Sequence, residues 1–133
     1  MVKSSANKPD LEPQRVAIAA LQAFFNLSLQ WGFSVKEERT LLGLPPESTF
    51  YKWKAEKTAN RLSHDTLERI SYLLGIFKAL NILLPSARAA NEWLRKPNSA
   101  NLFHGKSALT CMLAGNVIDL VNVRRFLDAQ RGL

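Results

Sequence analysis

The side chains able to do chemistry are few in this chain, and their spacing does not bring them together. The sequence holds two histidines, His64 and His104, and a single cysteine, Cys111. None of them lie at a ligand spacing such as Cys-x-x-Cys or His-x-x-x-His, so we predict no metal site. Cys111 and His104 are the only candidates for a nucleophilic pair. Cys111, however, sits in a helical pattern among apolar neighbours, where a cysteine usually behaves as a small apolar side chain.

The carboxylates and glycines offer no further catalytic arrangement. Asp65 and Glu68 stand near the start of a helical pattern, where negative charge interacts favourably with the helix dipole, and this explains them better than an acid/base pair does. No glycine-rich loop that could hold a phosphate is present. We therefore predict no catalytic residue and no cofactor, and we expect that the protein is not an enzyme.

Composition limits the number of domains and the kinds of partner that the protein can have. The chain has 133 residues, of which 47% are hydrophobic, which suits one domain or two small helical units that share a core. Its 18 basic and 11 acidic side chains give a net charge of +7, which favours an anionic partner and leaves nucleic acid, acidic protein and membrane surface open. One cysteine and the lack of a secretory signal predict a cytoplasmic protein.

The rest of the chain is organised around residues 63–84, which we expect to form a central helix. Apolar side chains recur there at three- and four-residue spacing and cover most of the helix surface. Arg69 and Lys78 interrupt the run, so it is too short to span a membrane. The pattern predicts an all-α fold in which neighbours cover this helix on most sides. The narrow line left for water or close backbone approach consists of Glu68, Ser71, Gly75 and Lys78.

The N-terminal part begins with a polar stretch and continues into an amphipathic helix. Residues 1–12 have almost nothing to bury and are expected to form a flexible tail. A first helix should run from Pro13 to Gly32. Its predicted inward face is Val16, Ala19, Ala20, Ala23, Phe24, Leu27 and Trp31. Apolar residues on several of its sides suggest either self-association or core packing, namely Phe24, Phe25, Leu29 and Trp31.

Two short helices with a tight turn follow, which is the outline of a helix-turn-helix. Ser34 is a suitable N-cap with Glu37 placed to complete a capping box, and Gly43 ends this second helix. The turn is one residue longer than in the usual pattern. A third helix carries Phe50 and Trp53 on its inner side.

The outer side of the third helix combines hydroxyl, aromatic and basic side chains, a mixture able to contact base edges and phosphates. An ordinary solvated helix face is the alternative interpretation. The predicted DNA-binding residues are Ser48, Thr49, Tyr51, Lys52, Lys54 and Lys57.

The C-terminal part should form three more helices around a loop. A short helix stops before Pro97, because the residue preceding a proline is disfavoured in helical geometry. Residues 97–106 have loop composition with Leu102 and Phe103 as apolar anchors. Ser107 and Asn116 are the N-caps of the last two helices. On the final helix we expect Arg124, Arg125 and Asp128 to point outward, and we expect residues 131–133 to be a frayed basic end.

Three separated blocks resemble the MbcA/ParS/Xre antitoxin family. They are LSHDTLERISYLLGIFKAL at residues 62–80, WLRKPNS at residues 93–99 and VRRFLDAQRG at residues 123–132. The resemblance covers nearly all of residues 62–133, and an Xre-like helix-turn-helix fits the preceding residues more loosely. It implies an all-α protein with a DNA-binding domain at residues 13–62 and a toxin-binding domain at residues 63–133.

The resemblance also implies a function, namely a dimeric type II antitoxin that represses its own operon. The usual partner in this family is a RES-domain toxin, which degrades NAD or modifies proteins with ADP-ribose, and the C-terminal region of the antitoxin blocks its active site. A carboxylate at Leu133 would mimic the substrate's charge there. A stand-alone dimeric helix-turn-helix repressor is the alternative. The implied toxin-binding residues are Asn98, Ser99, Lys106, Arg124, Arg125, Asp128, Arg131, Gly132 and Leu133.

Overall fold

The computed structural model describes residues 10–133, which form seven α-helices and one short 3-10 helix. The only β-type pairing among these residues is an isolated bridge between Pro97 and Ser107, so the predicted all-α fold is confirmed. Most of the expected tail lies outside the described residues. The α-helices are α1 (Glu12–Trp31), α2 (Val35–Leu41), α3 (Glu47–Glu56), α4 (His64–Leu83), α5 (Ala87–Arg95), α6 (Ala108–Met112) and α7 (Val117–Gln130), and the 3-10 helix is Asn101–Phe103.

Serine side chains cap four of the helices, including the predicted N-caps Ser34 and Ser107. Ser34 accepts a hydrogen bond from the backbone N–H of Glu37, whose side chain accepts one from the N–H of Ser34, which completes the capping box. Each of three further serines accepts a hydrogen bond from the backbone N–H three residues along the chain. These serines are Ser63, Ser86 and Ser107.

α4 is the centre of the fold, and it packs mainly against α7 on one side and α1 on the other. Its fully covered side chains include Ile70, Leu73 and Ile76. The predicted exposed line is present at Ser71 and Lys78, and Ile82, one turn beyond Lys78, continues it at 55% exposed. At Gly75 the helix is approached closely by the side chain of Arg124.

The predicted inward face of α1 was partly wrong. Val16 and Ala19 are exposed, whereas Ala17 and Leu21 are buried, so the helix is turned by about one residue in its first half. The apolar excess that suggested self-association is mostly core, since Phe25 and Trp31 are covered within the chain. Of that group only Leu29 is exposed.

Two arginines donate hydrogen bonds to backbone carbonyl groups that are distant in the sequence, and Arg95 in this way joins the C-terminal part to the N-terminal part. Arg95 of α5 donates to the carbonyl oxygen of Trp31 at 2.8 Å and so satisfies the end of α1. The buried Arg69 of α4 donates to Asp65 at 2.8 Å and to the carbonyl oxygen of Gly115 at 3.0 Å. The buried apolar residues of both parts form one core cluster, so α4 serves both sides of the expected boundary at residues 62 and 63.

None of the helices within residues 10–133 is by itself long and apolar enough to span a membrane. α4 and α5 taken together meet the length and composition test, but they are bent by 117° relative to each other.

Candidate nucleic-acid and partner interfaces

The connection between α2 and α3 is a tight turn held against α4. Gly43 has φ of +89°, and Leu44 follows with φ of +58°. A Cβ atom at Gly43 would lie 2.9 Å from Nε of Arg69, so the turn needs glycine both for its backbone conformation and for this contact. The turn therefore places α3 relative to the central helix.

α3 buries one side and exposes the other, as the sequence predicted. Phe50 is fully covered and Trp53 is nearly so. Ser48, Tyr51 and Lys52 are exposed, and Thr49 is half-buried. The hydroxyl groups of Ser48 and Tyr51 and the ammonium group of Lys52 therefore lie on the same outer surface of α3.

Lys54 has a partner inside the protein. Its Nζ atom lies 2.6 Å from Oε1 of Glu38 on α2, and the side chain of Glu38 is only 4% exposed. The other oxygen of that carboxylate accepts a hydrogen bond from Oγ of Ser28 at 2.7 Å. A buried carboxylate needs a nearby cation, so Lys54 neutralises Glu38 and joins α2 to α3.

Lys57 is also turned toward the protein. It is the residue at which α3 ends, with φ of +54°, and its ammonium group lies 5.4 Å from the centre of the Phe25 ring. It donates to the carbonyl oxygen of Lys54.

A cation that the sequence reasoning did not assign to this surface is Lys36, in the first turn of α2. It is exposed and has no ion-pair partner within residues 10–133. The signal was present in the sequence, because the first helix of a helix-turn-helix crosses the DNA backbone and Lys36 directly follows the start of that helix.

On α7 the expectation that Arg124 and Asp128 point outward is wrong. Nε of Arg124 lies 3.1 Å from Oδ2 of Asp128, and both side chains are about two-thirds or more covered. The guanidinium group of Arg124 lies over Gly75 of α4, where a Cβ atom would come within 1.7 Å of it. Arg125 is exposed, as predicted.

The end of the described chain forms a hydrogen-bonded turn after α7. The backbone N–H of Arg131 donates to Leu127, and that of Leu133 donates to Asp128 at 2.9 Å. Gly132 has φ of +81°, which allows this turn after the helix. The side chain of Arg131 is mostly covered and lies 3.8 Å from Asp128.

The loop at residues 97–106 is anchored as predicted. Phe103 is fully covered and packs edge-on against Trp93 and Phe126, with ring centres 5.9 and 5.1 Å apart. The backbone N–H of Asn98 donates to Lys106 at 3.0 Å, which closes the loop. Asn98 is half-buried, whereas Ser99 and Lys106 are exposed.

A cleft of about 470 Å³ opens between this loop, α6 and α7. Cys111 lines it and is half-buried rather than fully covered, so the expectation of a buried cysteine was partly wrong. His104 also lines the cleft, but no hydrogen bond joins the two side chains, and residues 10–133 contain no cluster of metal-ligating side chains. The lining residues are Leu102, Phe103, His104, Lys106, Thr110, Cys111, Ala114, Asp119, Asn122 and Val123.

The fold has two helical parts, a helix-turn-helix and a C-terminal unit, which share α4. Residues 11–75 match the antitoxin Xre-like helix-turn-helix domain, and residues 79–132 match the antitoxin Xre/MbcA/ParS C-terminal toxin-binding domain. The chain belongs to the Xre/MbcA/ParS antitoxin family. It is similar to the uncharacterized protein y4oB of Sinorhizobium fredii (strain NBRC 101917 / NGR234), with 45% identity over 126 residues that cover 95% of this chain and 94% of the relative.

Proposed function

We propose that this protein is the antitoxin of a type II toxin-antitoxin pair that neutralises a RES-domain toxin with its C-terminal part and represses its own operon through its helix-turn-helix. The observation that carries the proposal is the presence in one chain of both a helix-turn-helix match and a toxin-binding match. The assignment of a RES-domain toxin, which degrades NAD or transfers ADP-ribose, and of a homodimer rests on the family resemblance.

Operator DNA would lie against the outer surface of α3. Its exposed residues Ser48, Tyr51 and Lys52 supply hydrogen-bond donors and acceptors and one cation, and Thr49 lies at the edge of this surface. Lys36 adds a second cation from α2. The sequence also assigned Lys54 and Lys57 to DNA contact. Lys57 contributes to the positive potential of the region, because its partner is a neutral carbonyl oxygen, whereas the charge of Lys54 is offset by Glu38.

The toxin would lie against the surface formed by the loop and α7. Exposed side chains there are Ser99, Lys106 and Arg125. The remaining predicted residues would support this surface from behind or flank it, because they are partly covered or belong to the ordered turn at residues 131–133. They are Asn98, Arg124, Asp128, Arg131, Gly132 and Leu133.

Toxin neutralisation is tested by coexpression with the protein encoded by the adjacent gene. We expect a stoichiometric complex and loss of that protein's NAD consumption or ADP-ribosyl transfer in the complex. A chain that stays uncomplexed and leaves the neighbour's activity unchanged would favour the stand-alone repressor.

DNA binding is tested by the salt dependence of affinity for the DNA upstream of the gene. Each neutralised phosphate contributes about one unit to the slope of log affinity against log salt, so Lys52→Ala should flatten the slope by about one unit. Lys78→Ala is the matched control, because Lys78 is exposed on α4, about 21 Å along the helix axis from His64, where α4 begins after α3. Affinity that does not fall as salt rises would exclude this surface as a phosphate-binding site.

A further inference from the structure

We infer that the cleft between the loop, α6 and α7 is an anchor site that receives an apolar side chain of the toxin flanked by a carboxylate. This inference rests on the proposed function, and it names the part of the toxin-binding domain that makes the central contact. The family resemblance instead placed the toxin contact on the loop, the α7 arginines and residues 131–133.

The first step concerns the walls of the cleft, which are already formed in the free chain. His104 and Gly105 both have positive φ, and the loop that carries them is closed by the hydrogen bond from Lys106 N–H to Phe103 at 2.8 Å. The fully covered Phe103 fixes this loop to the core. Binding in a preformed cleft avoids the cost of ordering a loop, so the site is suited to a partner contact.

The second step concerns the floor, which is apolar. The apolar lining residues are Leu102, Phe103, Ala114 and Val123, of which Phe103 and Val123 are almost fully covered, and Cys111 adds a polarizable thiol. A volume of about 470 Å³ falls within the range of binding pockets and accommodates a large aromatic or aliphatic side chain with its neighbouring backbone. Thr110 and Asn122 at the rim offer hydrogen bonds to that backbone.

The third step concerns charge. Lys106 at the mouth is exposed and has no ion-pair partner within residues 10–133. Arg125, one helical turn beyond Asn122, is likewise exposed and without an ion-pair partner in the described part of the chain. The acidic residue in the cleft, Asp119, already accepts a hydrogen bond from the N–H of Asn116 at the start of α7. Lys106 and Arg125, which lies beside the cleft rather than in its lining, outnumber Asp119 by one, and this surplus of one positive charge favours an acidic residue beside the apolar anchor.

Location supports the same partner. The lining residues all fall within residues 79–132, which match the toxin-binding domain. A second copy of this chain would have to bring an acidic segment to the cleft, whereas the chain carries a net charge of +7. The toxin is therefore the occupant that the charge and the domain match favour.

The single cysteine makes the test direct, since Cys111 lines the cleft and reports its occupancy. The rate of maleimide labelling, followed by the mass of this chain, should fall at least about tenfold when the purified toxin is added in excess. As a control, the double variant Cys111→Ser, Asn81→Cys carries its thiol on the exposed side of α4 and should label equally fast with and without toxin.

A cleft-filling variant gives a second readout. Asn122→Trp should weaken toxin binding by about tenfold or more, whereas Asn81→Trp, the same change on an exposed position of α4, should leave the Kd within about twofold. Circular dichroism should show that both variants remain folded.

The outcomes separate the two proposals. A complex in which Cys111 labels at the free rate and Asn122→Trp binds normally would overturn the anchor site and leave the antitoxin function standing. Protection that depends on the concentration of this chain alone would assign the cleft to a second copy and overturn the inference. If no complex forms, the proposed function fails and the anchor site fails with it.

Discussion

Each half of the molecule contains an ion pair between a cation and a carboxylate of the same protein, and the two pairs differ in burial. In the N-terminal half, Lys54 pairs with Glu38, which belongs to another helix and has a side chain only 4% exposed. In the C-terminal half, Arg124 pairs with Asp128 on the same helix, where the carboxylate is 26% exposed. The first pair joins two helices around a buried charge, whereas the second supports one helix at a partly wetted surface. The contribution of a cation to the stability of the fold therefore depends on how deeply its carboxylate partner is buried.

The largest expected effect tests whether the halves share one core. Phe50→Ala and Phe103→Ala each remove a fully covered ring, one from each half, and each should cost about 3–5 kcal/mol of unfolding free energy. Urea denaturation followed by circular dichroism and by tryptophan fluorescence should give a single coincident transition for both variants. Tyr51→Ala, at an exposed ring, should change stability by less than about 0.5 kcal/mol. Two separate transitions would show that the halves unfold independently.

The next effect compares the two ion pairs. Lys54→Met leaves the buried carboxylate of Glu38 without its cation and should cost about 1–3 kcal/mol. Arg124→Met keeps most of the aliphatic stem and loses only a partly exposed pair, so it should cost less than about 1 kcal/mol. Urea midpoints at neutral pH measure both. Adding Glu38→Gln to Lys54→Met should recover part of the loss, and equal costs for the two single variants would contradict the comparison.

The smallest effect examines how Arg124 lies against α4. Gly75→Ala forces the guanidinium group away from Gly75, but alanine also gains about 0.5–1 kcal/mol of helix propensity, so the net change should stay within about 0.5 kcal/mol. In an Arg124→Ala background the same change should stabilise the protein by about 0.5–1 kcal/mol. A double-mutant cycle from thermal unfolding measures the difference. Equal effects in both backgrounds would mean that the two residues are not coupled.

Local signals in the sequence were sufficient to predict the helices. The N-caps Ser34 and Ser107, the capping box at Ser34 and Gly32 at the end of α1 depend on residues a few positions apart. The structure has them where they were predicted. The central position of α4 was also correct, because its apolar surface was too wide for a surface helix.

The partners of the charged side chains could not be predicted in the same way. Lys54 and Glu38 are sixteen positions apart, and nothing in their own sequence neighbourhoods shows that one is buried beneath the other. Arg124 looked solvent-exposed by helical spacing, and only the packing of α7 on α4 places it over Gly75. The cleft was missed for a similar reason, since its walls come from three elements that meet only in the fold.

Because α4 packs against helices of both halves, it limits how such a protein can acquire a new binding partner. In a chimera that exchanged everything after residue 62 with a relative, α1 would pack against the α4 of the relative. The contact between Trp31 and Phe77, with ring centres 5.3 Å apart, would then be replaced by one that was not selected to fit. Changes confined to positions such as Lys106, Asn122 and Arg125 leave the packing of α1 against α4 unchanged. A change of partner is therefore easiest by point substitution at such positions in the C-terminal part, and hardest by exchange of whole domains.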